Sequence, residues 1–365
     1  MGTEQQKPYS GNFYKKEVLK NGKLTLYRCP FYVPKNPGGL KRVMHEASFF
    51  LSAFFMIVRM LFKPGHDYIF CVAPPFHLGF LGLFYRFFKG GKLIYHIQDL
   101  QIEAARDLKV LKPEAVFKWM FRMERFILKN ANYISSISAG MIKKITLKAE
   151  REIIFFPNWV NTDMFFPIPD RNLIKKEWGF KPDNQVVLYS GSIGEKQGLE
   201  TLIDIAVKLR VNSRIQFLIC GTGPYKQKLI ELAKSAGADN MHFLPLQELD
   251  VFNRFLNMAD VHLILQKANA SDLMMPSKLN TILASGGLAL ATAEAGSSLY
   301  EVIKDHKMGM VIPPENAKEL YEAILKCCTG NYSLQRINAR IYAEQYLEKE
   351  SILTGVTRHW RDDVN

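Results

Sequence analysis

Residues 185–224, QVVLYSGSIGEKQGLETLIDIAVKLRVNSRIQFLICGTGP, decide the fold of this chain. The run QVVLYS has the composition of a buried strand, and a glycine-containing loop, GSIGEKQG, follows it. Apolar residues then recur at the spacing of one helix face: Leu199, Leu202, Ile203, Ala206 and Leu209. A second strand, IQFLICG, and the turn GTGP complete a strand–helix–strand unit.

The same alternation continues along the second half of the chain. Strand patterns such as MHFLPL, VHLILQ, LALATAE and MGMVIP alternate with helical patterns, which predicts a Rossmann-type, doubly wound α/β domain over residues 184–330. The runs DYIFCVAPP, KLIYHIQD, ANYISSIS and EIIFFPN predict a second Rossmann-like domain over residues 1–160. We expect a linker at 161–183, helices at 331–365 that pack back toward the N-terminal domain, and a ligand cleft between the two domains.

The charge of the chain is concentrated in its first half. The formal net charge is +13; residues 1–165 contain 25 basic and 12 acidic side chains, and residues 166–365 contain 23 of each. The first half therefore needs an anionic membrane, polyanion or anionic substrate as partner. Its aromatic residues lie in apolar runs and do not alternate with basic ones, so we expect no nucleic-acid binding.

Two apolar stretches of the first half bear on membrane contact. Glu46 and Arg59 enclose 12 uncharged residues, too few to cross a bilayer, and Pro74 and Pro75 interrupt the longer stretch that follows. We therefore predict no transmembrane helix. Basic, aromatic segments of this kind can lie in the membrane interface, although two core helices with solvated basic ends would show the same pattern. Five cysteines without a C-x-x-C motif fit a reducing cytosol.

Two glycine-rich loops are the candidate ligand-binding motifs. The loop from Gly191 to Gly198 joins a strand to a helix, as phosphate-binding loops do, and Lys196 adds a positive charge. Gly221 and Gly223 form a second such turn. Many strand–helix turns need glycine for conformational reasons alone, so neither loop is decisive by itself.

Three further positions could bear on chemistry. Lys278 would lie near the positive end of a helix, which hints at an anionic ligand, although a solvated surface lysine is the simpler interpretation. His96 and Asp99 end a strand and could face a cleft, although a single histidine at a strand end is usually structural. The sequence contains no D-x-D, H-E-x-x-H or G-x-S-x-G motif, so we expect neither a metal site nor a serine hydrolase.

The segments SGSIGEKQGLE, GTGP and MMPSKLNTILASGG, preceded by FFPNWVNTDMFFP, occur in an order that resembles retaining glycosyltransferases of the GT-B fold, family four. More narrowly, the chain is similar to the colanic-acid-type exopolysaccharide glycosyltransferases. The resemblance implies transfer of a sugar, with GDP-fucose as the expected donor, to a lipid-linked glycan, with retention and without a metal or other cofactor. It also implies a cytoplasmic protein, peripheral on the inner face of the cell membrane, that carries the donor on its C-terminal domain.

The resemblance also assigns roles to individual residues. His96, Asp99 and Asp272 would serve catalysis near the transferred sugar, and the donor-binding residues would be Gly191, Gly194, Lys196, Gly221, Gly223, Ser277, Lys278 and Thr281. The chain departs from the family at Ser192, where an arginine is usual, and at Leu273 and Thr281, where the E-x7-E glutamates are usual, with Asp272 the nearest acid. Lys278 could replace the missing arginine's charge.

The beginning of the chain is a further departure. We expect the N-terminal domain to lack its first βα unit, because no strand followed by a glycine loop precedes residues 23–28. Two alternatives to an active transferase therefore stay open: a non-catalytic or truncated donor-binding homologue, and a nucleotide-sugar epimerase.

Overall fold

The computed structural model describes residues 13–34, 40–107, 114–267 and 275–361. The chain divides into two compact units. The first consists of Met1–Ser136 and Ile142–Ile154, and the second of Ile137–Met141 and Phe155–Asn365.

The first unit contains a hairpin, a long helix and a parallel sheet. The hairpin pairs β1 (Lys15–Leu19) with β2 (Leu24–Arg28), and α1 (Leu40–Met60) follows it. The sheet has the order β3-β4-β5-β6, with strands at Tyr68–Ala73, Lys92–Ile97, Tyr133–Ser136 and Ile154–Phe155. Its helices are α2 (Leu78–Lys89), α3 (Gln101–Asp107), α4 (Glu114–Asn130) and the part of α5 (Ala139–Ala149) that follows Met141.

Two glycines explain how closely α2 packs in the first unit. A Cβ atom at Gly79 would lie 2.5 Å from Cγ2 of Ile127 in α4, and one at Gly82 would lie 2.7 Å from Cδ1 of Leu93 in β4. Only glycine lets the helix approach both neighbours at this distance. The four strands predicted for this half are all present, whereas the hairpin β1–β2 was not predicted.

The helix α1 bears on the prediction that the first half has no transmembrane helix, which stays a prediction. The prediction considered only the uncharged residues between Glu46 and Arg59, whereas a helix can contain single charged residues and continue beyond them. Within the described ranges, one helix is long and apolar enough for a span by length and composition: Val43–Met60, with a mean hydropathy of 1.4. Only 6% of the residues in that window are fully buried, most are half-buried, and four large apolar side chains are exposed: Val43, Met44, Leu51 and Phe55.

The second unit is a six-stranded parallel sheet of the order β12-β11-β10-β7-β8-β9. The strands are β7 (Gln185–Ser190), β8 (Ile215–Cys220), β9 (Met241–Leu244), β10 (Val261–Ile264), β11 (Ala289–Thr292) and β12 (Gly309–Ile312). The order reverses next to β7, which places the switch point of a doubly wound sheet between β7 and β10. This confirms the Rossmann-like prediction for the second half.

Helices cover both faces of this sheet. One face packs against α7 (Thr201–Leu209), α8 (Lys226–Ser235) and α12 (Ala317–Thr329). The other packs against α6 (Arg171–Glu177), α9 (Leu249–Met258), α10 (Lys278–Ala284), α11 (Ser298–Asp305) and α13 (Ser333–Tyr346), and α14 (Lys349–Arg361) follows. The segment predicted as a linker thus contains a helix, α6, that packs on α9. The packing of residues after 331 toward the N-terminal domain stays a prediction.

Candidate functional site

The loops after β7 and β8 pack backbone against backbone at the carboxyl end of the second unit's sheet. A Cβ atom at Gly221 would lie 1.8 Å from the carbonyl oxygen of Gly191, and one at Gly223 would lie 2.0 Å from that of Ile193. The amide of Ile193 donates to the carbonyl oxygen of Thr222 at 2.9 Å. Any side chain at Gly221 or Gly223 would therefore separate the loops, which gives both glycines a structural reason independent of a ligand.

The loop after β7 joins this strand to α7, as the sequence predicted. Its backbone forms a short 3-10 turn over Glu195–Gln197, and Gly198 adopts the left-handed region at φ +62°. The amide of Gly194 donates to Oε1 of Gln197 at 3.0 Å. Lys196 lies in this turn, but its side chain falls outside the described part of the chain. The roles of Gly191, Gly194 and Lys196 at a diphosphate stay predictions.

Lys278 brings a buried positive charge to this loop. Its Nζ lies 3.7 Å from the centre of the Tyr189 ring and would lie 3.1 Å from a Cβ at Gly191. Although part of the side chain reaches the surface, Nζ itself is buried and has no hydrogen-bond partner in the described ranges. Burial lowers the pKa of Lys278 to about 7. The solvated-lysine interpretation of this residue is therefore wrong.

Tyr189 contacts both Lys278 and the loop after β7. It is fully buried, and its hydroxyl donates to the carbonyl oxygen of Ser192 at 2.7 Å. Burial raises the pKa of Tyr189, so the ring stays neutral and offers the ammonium only its π face. Tyr189 was not predicted as a site residue, because the sequence shows it only as part of a strand. Its position at the end of β7, just before the glycine loop, was the signal that could have identified it.

The predicted site residues around the start of α10 differ in their exposure and hydrogen bonding. Ser277 precedes the helix and is exposed. The hydroxyl of Thr281 donates to the carbonyl oxygen of Lys278 at 3.0 Å, so it is turned back onto its own helix. Asp272 lies outside the described residues. The structure thus brings Lys278 to the Gly191 loop, while the roles of Ser277, Thr281 and Asp272 stay predictions.

His96 and Asp99 belong to the first unit and differ in their surroundings. His96 is 3% exposed, stacks on Phe70 and has Nδ1 2.9 Å from the Ser135 hydroxyl, and burial lowers its pKa to about 4. This is the setting of a histidine packed on the face of a sheet. Asp99 is partly exposed just beyond the carboxyl end of β4, where ligands of such sheets bind. Their catalytic roles stay predictions.

One cavity of the second unit adjoins the glycine loop. It has a volume of about 300 Å³, and both polar and apolar residues line it, among them Gln197, Gly198, Lys267 and Thr292. A larger cavity, of about 430 Å³, is lined by residues 178–184 and by parts of β8 and β9 and contains none of the predicted site residues. Across the described ranges no group of three or more His, Cys, Asp and Glu side chains is placed to hold a metal ion.

Comparisons with known proteins agree with the resemblance seen in the sequence. Residues 170–344 match the family described as glycosyl transferases group 1. The chain is 36% identical over 356 residues to WcaI of Escherichia coli (strain K12), which is assigned as a colanic acid biosynthesis glycosyl transferase. The alignment covers 94% of this chain and 85% of WcaI.

Solved structures show the same architecture. Sucrose-phosphate synthase from Thermosynechococcus elongatus superposes with a TM-score of 0.76 at 16% identity, over 97% of this chain and 86% of its own. Alr3699/HepE of Anabaena, in complex with UDP-glucose, superposes with a TM-score of 0.69 at 14% identity, over 90% and 84% of the two chains. These likenesses confirm the predicted GT-B fold with two Rossmann-like domains.

Proposed function

We propose that this chain, which belongs to the group 1 glycosyltransferases and acts in polysaccharide biosynthesis, transfers a sugar from a nucleotide-diphosphate donor to a lipid-linked glycan. The proposal places the donor on the second unit and the acceptor on the first. Transfer proceeds with retention of anomeric configuration, as in family four, and GDP-fucose is the first donor to test.

The buried ammonium of Lys278 beside Gly191 carries the donor assignment. An ammonium without a hydrogen-bond acceptor is costly to bury, and a diphosphate oxygen at the glycine loop would supply both the acceptor and the opposite charge. The same position supplies the charge that the family's usual arginine would give, since Ser192 stands in its place. Lys196 would add a second charge from the same loop.

Catalysis in this proposal rests on the leaving diphosphate. As the bond from the sugar to the diphosphate breaks, negative charge grows on the phosphate oxygen, and Lys278 stabilises it more in the transition state than in the ground state. The leaving phosphate assists the acceptor hydroxyl, so no strong protein base is required. Asp99, His96, Asp272 and Thr281 would orient the two sugars. The nucleotide sugar is a substrate, and no resident cofactor or metal takes part.

The surface of the first unit supports the membrane side of the proposal. Six aromatic residues of α1, α2, α4 and the residues just after α1 are more than half exposed: Phe55, Phe62, Phe87, Phe88, Trp119 and Phe126. The three helices adjoin one another through the ring contacts Phe54–Phe84 and Phe80–Phe126. Basic residues flank these rings, including Arg59, Lys63 and Lys89. Such a surface fits the interface of an anionic membrane, where the lipid-linked acceptor resides.

A transfer assay tests the proposal. The protein is incubated with GDP-fucose, or with whichever nucleotide sugar it hydrolyses, and with a lipid-linked glycan fraction in anionic vesicles. Mass spectrometry should show the glycan heavier by one sugar, and chelator should leave the rate unchanged. Donor binding without turnover would favour the non-catalytic homologue, and recovery of an isomerised nucleotide sugar would favour the epimerase.

A further inference from the structure

Three side chains from three elements of the first unit meet beyond the carboxyl ends of β3 and β4. Glu46 comes from α1, His77 from the loop between β3 and α2, and Gln101 from the first position of α3. The Gln101 amide nitrogen Nε2 donates to both carboxylate oxygens of Glu46, at 3.2 and 3.3 Å. Its Oε1 accepts from the amide of Phe76 at 3.1 Å. Gln101 thus ties the loop that carries His77 to α1.

A second hydrogen bond fixes the same loop from the sheet. The buried hydroxyl of Tyr95, in β4, donates to the carbonyl oxygen of Phe76 at 2.8 Å. The residue before His77 is therefore held at its amide by α3 and at its carbonyl by β4. A binding group on a loop with both backbone groups fixed is preorganised, which is what a recognition site needs.

His77 has a buried ring nitrogen that the unit does not use. Its Nε2 is buried and has no hydrogen-bond partner among the residues that the structure describes. The ring packs edge-on against Phe50, with centroids 5.3 Å apart, and against Phe76 at 5.7 Å. Burial lowers the pKa of His77, while the nearby carboxylate of Glu46 opposes that shift. A neutral imidazole provides one donor and one acceptor, and a ligand hydroxyl can satisfy either.

The chemistry of the three groups selects the kind of ligand. The Glu46 carboxylate accepts hydrogen bonds and repels phosphate, so a diphosphate is disfavoured here despite the basic surroundings. A carboxylate, an amide and a neutral imidazole beside an aromatic ring suit the hydroxyls and apolar face of a neutral sugar. In addition, Val43 and Met44, within one turn of Glu46 on α1, are at least half exposed. The same helix therefore offers an apolar surface next to the polar cluster.

We propose that Glu46, His77 and Gln101 bind the terminal neutral sugar of the lipid-linked acceptor through its hydroxyls, with the acceptor's phosphate held elsewhere. This inference rests on the proposed function, because it requires that the first unit hold an acceptor glycan. In this proposal the three residues contact the acceptor sugar directly and select which of its hydroxyls stays unbound for transfer.

Direct sugar binding tests the inference without turnover. Saturation-transfer NMR is recorded with methyl glycosides of galactose, glucose and fucose as neutral probes, and with glycerol 3-phosphate as the anionic probe. At least one methyl glycoside should give a signal with the full-length protein. His77→Leu should weaken its affinity roughly two- to tenfold, as expected for the loss of one neutral hydrogen bond, and Glu46→Gln, which removes a charged acceptor, should weaken it at least as much. His77→Gln, which keeps a donor and an acceptor, should restore most of it.

Glu152→Gln, an exposed carboxylate of the same unit, is the matched control and should change nothing. Donor hydrolysis and the unfolding midpoint of Glu152→Gln should match those of the wild type, and the unfolding midpoint of every variant is measured so that a folding defect is recognised separately from a loss of sugar binding. Absence of any methyl glycoside signal, binding that survives His77→Leu and Glu46→Gln, or preferential binding of glycerol 3-phosphate to the cluster would overturn the inference. Failure to turn over any donor would instead refute the proposed function and leave the sugar-binding result to stand by itself.

Discussion

Replacing Lys278 by methionine removes the ammonium beside Gly191 and keeps most of the side chain's volume. A charge-assisted hydrogen bond to a phosphate contributes about 1.5–3 kcal/mol, so donor affinity should fall roughly 10- to 150-fold. Lys278→Arg keeps a positive charge at every accessible pH and should retain measurable affinity. The two variants together separate loss of charge from loss of shape.

The pH dependence of donor affinity is the sharper part of this prediction. With the pKa of Lys278 lowered to about 7 in the free protein, only the protonated fraction attracts the diphosphate. Apparent affinity should therefore fall as pH rises through neutrality, by roughly 7- to 25-fold between about pH 6 and about pH 8.5 if the neutral form binds about 10- to 150-fold more weakly. Tyr189, whose ring contacts Nζ, stays neutral over this range, and the charged residues on the neighbouring loops are Glu195, Lys196, Glu200 and Lys267.

Titration calorimetry with a nucleotide-diphosphate sugar is the appropriate assay, because the doubly esterified diphosphate does not titrate in this range. Measured in buffers of different ionisation enthalpy, the wild-type protein should take up a substantial fraction of a proton per donor at the alkaline end. Lys278→Arg should bind with a flat pH profile and no proton uptake. A wild-type affinity that is constant with pH, or unchanged in Lys278→Met, would show that Lys278 does not meet the diphosphate.

Three further predictions follow from the same contacts. First, Lys278→Met should raise the unfolding midpoint of the donor-free protein by a few degrees at pH 7. The pKa of Lys278 is about 7 in the folded protein and 10.5 in the unfolded chain, so at pH 7 the charged lysine favours the unfolded chain. The gain should vanish as pH approaches 10.5, which thermal scans across pH check. Second, Gly221→Ala should cost about 1–3 kcal/mol in urea unfolding and weaken donor binding, since its Cβ would lie 1.8 Å from a carbonyl oxygen, whereas Gly355→Ala, with nothing within 4 Å, should be harmless. Third, Phe62→Ser with Phe87→Ser should reduce co-sedimentation with anionic vesicles, and Leu147→Ser, equally exposed but on α5, should not; equal losses would refute a specific membrane face.

Much of the fold could be predicted because its strands are buried on both faces. Runs such as QVVLYS and IQFLIC are apolar throughout, and the helices between them show a one-sided pattern, so the alternation alone indicates a doubly wound sheet. The hairpin β1–β2 escaped prediction because its residues are largely exposed and show no clean alternation of apolar and polar side chains. The length of α1 escaped prediction because single charges at Glu46 and Arg59 were treated as ends.

The candidate site could be predicted only in part. Glycine positions and sequence order located the two loops, but the sequence does not show that Gly221 and Gly223 pack against neighbouring carbonyl groups. Lys278 looked like a surface lysine in the sequence, because its burial depends on Tyr189, which is 89 residues earlier in the chain. The cluster of Glu46, His77 and Gln101 likewise depends on contacts between distant segments, and no local motif announces it.

A thermal-shift panel of nucleotides tests the central claim, that the second unit holds a nucleotide-diphosphate donor at the Gly191 loop. The wild-type protein and Lys278→Met are heated with GDP, UDP and ADP and with their sugars at neutral pH. We predict that one nucleotide series raises the wild-type unfolding midpoint by several degrees, and that the shift largely disappears in Lys278→Met. A wild-type protein whose midpoint responds to no nucleotide, or an equal shift in the variant, would contradict the account.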